Sequence, residues 1–306
     1  MYDLIIVGAG PSGLGASIYA SRYKLNHIVI GEDIGGQVVE ASDIENWAGI
    51  ESISGKDLMD LFQRQTIDLG GTILQGNVNK VIKTENGFEV SLEEGKKFES
   101  KAIIFALGMK PRKLNLPGEN KYIGKGISYC ATCDAMFFRG KDVAVIGGGD
   151  AAATAAIHLA EFANTVQLLY KDGTKCYEPS WDERIIKTGK IACSSFGKID
   201  GLSGNDRVES IAYETVDGQK KELSVQGVFI EIGSVPGVVV AKELGVLTDE
   251  QGYIIVDQTQ ATNIENVYAS GDVTTGSNKF RQIITAVAEG AVASGSVYKK
   301  LKLGKK

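Results

Sequence analysis

Metal-ligating residues are scarce in this chain. Its 306 residues include two histidines, His27 and His158, and four cysteines, Cys130, Cys133, Cys176 and Cys193. A zinc site needs four ligands, and only Cys130 and Cys133 stand close together, so no metal centre is expected. Long hydrophobic runs are also missing. No stretch approaches the about 20 apolar residues that cross a bilayer. The first apolar run, Leu4 to Val7, has no basic leader and breaks at Gly8, unlike a secretory signal. The expectation is a cytoplasmic protein with no membrane association. A positive excess is absent as well: the net charge is -5, so general nucleic-acid affinity is not expected. Lysines 299, 300, 302, 305 and 306 read as a solvated C-terminus rather than a binding tail. What remains is ordinary globular material, 43% hydrophobic and 23% charged, in a length that suits two domains.

Against that background, two glycine-rich fingerprints stand out. Leu4-Ile5-Ile6-Val7 is a continuous apolar run, the pattern of a buried parallel strand. Gly8-Ala9-Gly10-Pro11-Ser12-Gly13 follows at once, then an alanine-rich helix from about Ser12 to Tyr23, then the strand His27–Ile30 ending at Gly31-Glu32. In a dinucleotide-binding unit the first glycine makes the tight turn. The second lets a pyrophosphate approach the backbone, and the third lets helix and strand pack closely. The positive end of the helix then faces the phosphates. Gly8, Gly10 and Gly13 take those three places, and Glu32 is placed to accept from a ribose hydroxyl.

The pattern recurs. Val143–Ile146 leads into Gly147-Gly148-Gly149-Asp150-Ala151-Ala152, a helix to about Phe162 and the strand Thr165–Tyr170. Glu32 and Lys171 stand at the same distance after Gly8 and Gly147. An acid there suits a free 2′-hydroxyl and a base suits a 2′-phosphate. The first unit therefore reads as an FAD site. The second leans slightly towards NADPH through Lys171, with the adjacent Asp172 opposing a phosphate.

Cys130-Ala131-Thr132-Cys133-Asp134 lies just upstream of the second fingerprint. In a reducing compartment such a pair is more often catalytic or metal-binding than structural, and its spacing allows an easily closed disulfide. Two nucleotide units plus one cysteine pair suggest transfer of two electrons from a cofactor into a disulfide. Cys176 and Cys193 read as small, partly buried thiols. Both histidines read as structural, and Trp47 and Trp181 as packing residues.

At this point the chain resembles the low-molecular-weight thioredoxin reductases over essentially its whole length. The likeness is carried by Gly35-Gly36-Gln37, Glu45-Asn46-Trp47, Ala106-Leu107-Gly108, the Cys130–Asp134 motif, Asn266–Asp272 and Arg281-Gln282. The resemblance implies an α/β protein of two three-layer, Rossmann-like dinucleotide-binding domains, the second inserted in the first. An FAD domain would cover 1–113 and 240–306, and an NAD(P)H-binding-like domain carrying the cysteine pair would cover 114–239. By the same resemblance, FAD would meet Gly8, Gly10, Pro11, Ser12, Gly13, Glu32, Gly36, Gln37, Asn46, Ala106, Gly108, Gly271, Asp272, Arg281 and Gln282. Asp272 would hold the ribitol. NAD(P)H would meet Gly147, Gly149, Asp150, Ala151 and Lys171.

The likeness also implies a mechanism and a homodimer. Cys133 would face the flavin. Cys130 would attack the disulfide of a thioredoxin-like protein, Asp134 would carry the proton, and the nucleotide domain would rotate between the two tasks. The sequence departs from the family at the reductant site. NADPH-using members carry a His-Arg-Arg cluster after the second strand, and here the stretch is Tyr170-Lys171-Asp172. Thr154 and Ala155 replace a common glutamate pair. NADPH, NADH and ferredoxin therefore stay open as electron donors. An oxygen-linked dithiol oxidase and a non-enzymatic flavin redox module are the alternatives to a reductase.

Overall fold

Leu4, Ile5 and Ile6 are wholly buried, as a strand covered on both faces must be. In the computed structural model, which describes residues 1–41 and 44–304, this run lies in strand β1 (Tyr2–Val7). It is followed by helix α1 (Pro11–Arg22) and strand β2 (His27–Gly31). Helix α2 (Gly55–Asp68) leads to strands β3 (Thr72–Gln75), β4 (Val78–Thr84), β5 (Gly87–Leu92) and β6 (Lys97–Phe105). The sheet runs β3-β2-β1-β6-β5-β4, and strand Val267–Ala269 also pairs with β6. β1 is parallel to β2 and β6, and β2 to β3, whereas β4, β5 and β6 form an antiparallel meander.

The chain divides into two compact units, Met1–Lys110 with Pro236–Lys306, and Pro111–Val235. In the first, α1 packs on the C-terminal helix Ile283–Tyr298 through small residues. A Cβ on Gly290 would stand 2.2 Å from the Ser12 carbonyl oxygen, and Ser294 Oγ donates to the Ala16 carbonyl at 2.6 Å. Larger side chains there would force the helices apart. Lys302 pairs with Asp3 at 3.1 Å and Lys300 with Glu265 at 2.8 Å, so these two terminal lysines are engaged. Lys305 and Lys306 lie outside the described residues.

The second unit has its own parallel sheet, in the spatial order Ile191–Phe196, Thr165–Lys171, Asp142–Ile146, Gly227–Ile230, Ile127–Ser128. Helix Asp150–Phe162 packs on it through Ala152, Ala153, Ala155, Ala156 and Ala160, all buried. Its alanine content serves close packing and helix propensity together. A three-stranded antiparallel sheet, Lys198–Ser203, Ser210–Glu214 and Lys220–Ser224, completes the unit. No helix among the described residues is long and apolar enough to cross a membrane.

His27 opens β2 and is buried. Its Nδ1 lies 3.0 Å from the Leu25 carbonyl and its Nε2 2.7 Å from Ser17 Oγ. A carbonyl only accepts, so Nδ1 carries the proton and Nε2 accepts from the serine. Burial holds the imidazole below its ordinary value, against the Leu25 hydrogen bond that favours the charged form. The native state thus prefers the neutral ring, while the unfolded chain takes up a proton below about pH 6.5. This part of the stability is complete above that pH and is lost as pH falls towards the depressed folded value. His27→Gln is expected to flatten the slope of unfolding free energy against pH below about 6.5, read by urea denaturation across that range. An unchanged slope would remove His27 as its cause.

Candidate functional site

The first glycine turn is built for close backbone approach. Gly8 has φ +115°, and a Cβ there would stand 2.1 Å from the Ala106 carbonyl oxygen. A Cβ on Gly13 would stand 1.9 Å from the Gly8 carbonyl oxygen. The turn is pressed between β6 and α1, and its second glycine, Gly10, is left open: a Cβ there would meet only the Gly36 Cα, at 3.8 Å. Pro11 occupies the first helical position, where its missing N–H costs nothing.

Some of the other expected residues lie against this turn, and the rest are held by partners of their own. Gly36 and Gln37 open the 3-10 turn Gly36–Glu40. The Gly35 N–H donates to the Ala9 carbonyl at 2.8 Å. Ser12 Oγ lies 2.7 Å from Ser270 Oγ, and a Cβ on Gly271 would stand 2.8 Å from that of Ser12. Asn46 Nδ2 donates to Gln282 Oε1 at 3.1 Å. Arg281 donates to the Tyr253 hydroxyl at 3.2 Å and lies over that ring. Gly108 adopts φ +58°, and Glu32 follows the last residue of β2 with its side chain exposed. Burial pushes the Asp272 carboxyl above the usual carboxylate range; Arg281 opposes the shift and Glu289 adds to it.

Glu289 escaped the sequence reading. It is buried in the C-terminal helix, where Oε2 accepts from the Gly271 N–H at 2.8 Å and from Thr274 Oγ1 at 3.1 Å. It braces the turn that carries Asp272. The available signal was an acid set among small apolar residues of a helix. The turn, the open Gly10 face and the braced Asp272 fit an FAD: a backbone cradle for the pyrophosphate and a polar group for its sugar chain.

The second glycine turn repeats the first. Gly8 N–H donates to the Ile30 carbonyl at 2.7 Å, and Gly147 N–H to the Leu169 carbonyl at 2.8 Å. Those two bonds set the same register, so Lys171 takes the place of Glu32. Cys176 N–H donates to the Gly148 carbonyl at 2.7 Å, as Gly35 does to Ala9. Gly149 is open except for Cys176 Sγ, 3.8 Å from where its Cβ would be. Asp150 and Ala151 begin the helix, and Asp150 accepts from the Glu178 N–H at 2.9 Å. Cys176 and Cys193 are both exposed rather than partly buried. The correction has a local cause: Cys176 lies in the loop after Thr165–Lys171, and Cys193 on the edge strand of the sheet.

Cys130 and Cys133 form a disulfide with a Cα separation of 5.3 Å, spanning the single turn Ala131–Asp134. Cys133 N–H donates to Cys130 Sγ at 3.1 Å. Cys130 N–H donates to Ser128 Oγ at 3.0 Å, and Ser128 Oγ donates back to the Cys130 carbonyl at 3.1 Å. Cys133 is exposed. The Asp134 carboxylate caps no helix.

Glu119, also missed by the sequence reading, secures the approach to this pair. It is buried and accepts from the Leu114 N–H at 3.1 Å, the Leu116 N–H at 3.0 Å and the Tyr129 hydroxyl. Burial and the Glu119 hydrogen bond push the Tyr129 phenol well above its ordinary value. Nothing in the sequence distinguishes Glu119 from a solvated acid. Glu119→Gln would set an amide donor against an N–H or O–H donor, and should cost about 1–3 kcal/mol in denaturant unfolding. A loss below a few tenths would show that these bonds carry little.

A duplicated dinucleotide cradle with one accessible disulfide defines the class of flavin-linked disulfide oxidoreductases. The pyridine nucleotide-disulphide oxidoreductase family matches residues 2–290. The chain is 35% identical over 302 residues to a thioredoxin reductase of Listeria innocua, covering 98% of this chain and 93% of that one. Among solved structures it is similar to Lactococcus lactis thioredoxin reductase, at 34% identity, 98% coverage of both chains and a TM-score of 0.90. T. acidophilum thioredoxin reductase is similar at 35% identity, 98% coverage of both and a TM-score of 0.88. The chain belongs to the pyridine nucleotide-disulphide oxidoreductases, within their thioredoxin reductase branch.

Proposed function

We infer that this protein reduces the disulfide of a thioredoxin-like protein, taking electrons from a pyridine dinucleotide through FAD and the Cys130–Cys133 pair. The observation that carries this reading is the Cys130–Cys133 disulfide on a single helical turn, with Cys133 exposed and a backbone N–H aimed at Cys130 Sγ. FAD, when bound, supplies the two-electron carrier between the donor and this disulfide. Gly8, Gly10 and Gly13 would cradle its pyrophosphate, Glu32 would accept from its ribose, and Asp272, braced by Glu289, would hold its ribitol.

The remaining chemistry belongs to the chain. Once the pair holds two electrons and two protons, the N–H that points at Cys130 Sγ favours its thiolate. Cys130 Sγ attacks one sulfur of the partner disulfide, forming a mixed disulfide and releasing the partner's other sulfur as a thiolate, which takes up a proton. Cys133 gives its proton to Asp134, and its thiolate attacks Cys130 Sγ. The Cys130–Cys133 bond re-forms, and the partner's second sulfur leaves as a thiolate that collects the proton from Asp134. The partner has gained two electrons and two protons, and the chain is back in the state seen here. The family resemblance supports a homodimer in the cytoplasm as the working form.

The test uses the FAD-loaded protein, reduced with one equivalent of dithionite without oxygen and mixed with an oxidised thioredoxin. The reading expects about two new thiols on the thioredoxin per equivalent of protein. No new thiols, with the protein staying reduced, would overturn it. Loss of electrons only when oxygen is admitted would point to the dithiol oxidase instead.

A further inference from the structure

The loop after Thr165–Lys171 differs from its counterpart in charge, although the backbone repeats. Lys171 stands in the register place of Glu32, and Asp172 follows it directly. The next base, Lys175, lies between Thr174, whose carbonyl oxygen would be 2.1 Å from a Cβ on Gly148, and Cys176, whose Sγ faces Gly149. Lys175 is thus carried on the segment that covers the glycine turn. Its ammonium is already engaged. Nζ lies 3.0 Å from Asp182 Oδ1 and 3.3 Å from Oδ2, and 4.9 Å from the centre of the Tyr177 ring. The Tyr177 hydroxyl donates to the same Asp182 oxygen at 3.1 Å. Asp182 sits in the first turn of helix Pro179–Thr188, so the helix holds the lock in place.

A 2′-phosphate brings about two negative charges and needs a cationic, preferably bidentate, partner. Here Lys171 is offset by Asp172 and Lys175 by Asp182, so the four charges cancel. An unphosphorylated ribose needs only hydrogen bonds. The open face at Gly149 and the helix start at Asp150 still offer the pyrophosphate cradle.

We propose that the second unit takes a dinucleotide without a 2′-phosphate, NADH rather than NADPH, and that Asp182 sets this choice by sequestering Lys175. The proposal deepens the reductase reading by naming its electron donor. Asp182 is a positioning residue: it acts on the nucleotide only through Lys175.

The test is direct binding of NADH and of NADPH to the oxidised, FAD-loaded protein by titration calorimetry, which needs no turnover. The wild type should bind NADH at least as tightly as NADPH. Asp182→Asn, which frees the lysine, should shift the ratio of the two Kd values towards NADPH by about two- to fivefold. Lys175→Gln should leave the ratio as it is in the wild type, which keeps the test valid if Asp182→Asn does not fold. NADPH binding tenfold tighter than NADH in the wild type would overturn the proposal. So would binding of neither nucleotide, an unmoved ratio in a folded Asp182→Asn protein, or loss of NADPH affinity in Lys175→Gln. The dithionite experiment is independent of this loop, so failure of the donor assignment leaves a transfer to thioredoxin intact. Failure of the reductase reading removes that transfer whichever nucleotide binds.

Discussion

Cys130→Ser is expected to lower thioredoxin reduction by about 10³-fold or more, the scale of losing a covalent nucleophile. Cys133→Ser should be as inactive in turnover but chemically different. Cys130 keeps its thiol there, and the residue that resolves the mixed disulfide is gone. Reduced Cys133→Ser protein, mixed with an oxidised thioredoxin, should accumulate a covalent complex that non-reducing electrophoresis detects and a reductant dissolves. Cys130→Ser should form little of it. The asymmetry follows from the hydrogen bond at Cys130 Sγ, which receives the Cys133 N–H and so favours the thiolate at Cys130. Equal trapping by both variants would make the cysteines interchangeable and contradict the assigned order of attack.

The second large effect is on the first glycine turn, and it separates fold from cofactor. Gly8→Ala places a methyl group 2.1 Å from the Ala106 carbonyl oxygen at φ +115°. Strained backbone and overpacking together should cost about 3–5 kcal/mol, a large share of the about 5–15 kcal/mol that holds a typical protein folded. Gly10→Ala meets only the Gly36 Cα at 3.8 Å, from a φ of -79° that any residue adopts. Its fold should survive with the unfolding midpoint nearly unchanged. Its methyl group nevertheless covers the backbone face that a pyrophosphate must approach. A weakening of FAD affinity by about 5- to 150-fold is expected, from overpacking of about 1–3 kcal/mol. Denaturation of the cofactor-free proteins reads the first effect, and the Kd for added FAD reads the second. A Gly10→Ala protein that holds FAD as tightly as the wild type would remove this turn from the cofactor site.

The strand–glycine–helix–strand pattern of both units was legible because it is local. Apolar runs, small residues and an acid or a base fall at fixed distances along the chain, and the structure sets them in matching register. The cysteine pair was legible for the same reason. What escaped depends on partners far away in sequence. Glu289 is paired with Gly271 and Thr274, and Ser12 with Ser270, each joining a helix to the turn after strand Val267–Ala269. Glu119 looks like any loop acid until Leu114, Leu116 and Tyr129 fold around it. Lys171 read as the base for a phosphate, and nothing along the chain marks Lys175 as engaged. Only the fold shows that Asp182 has already claimed it. Cys176 and Cys193 were expected to be partly buried because free cysteines usually are. A loop and an edge strand placed them at the surface instead.

The central claim is that electrons leave through Cys130 and Cys133 and through no other thiol. The most direct measurement is differential alkylation with peptide mass spectrometry. One sample is reduced with dithionite, and a second is reduced and then mixed with an oxidised thioredoxin. The account predicts that Cys130 and Cys133 alkylate in the first sample and are a disulfide again in the second, while Cys176 and Cys193 alkylate in both. Re-oxidation at Cys176 or Cys193, with Cys130 and Cys133 left as thiols, would contradict it.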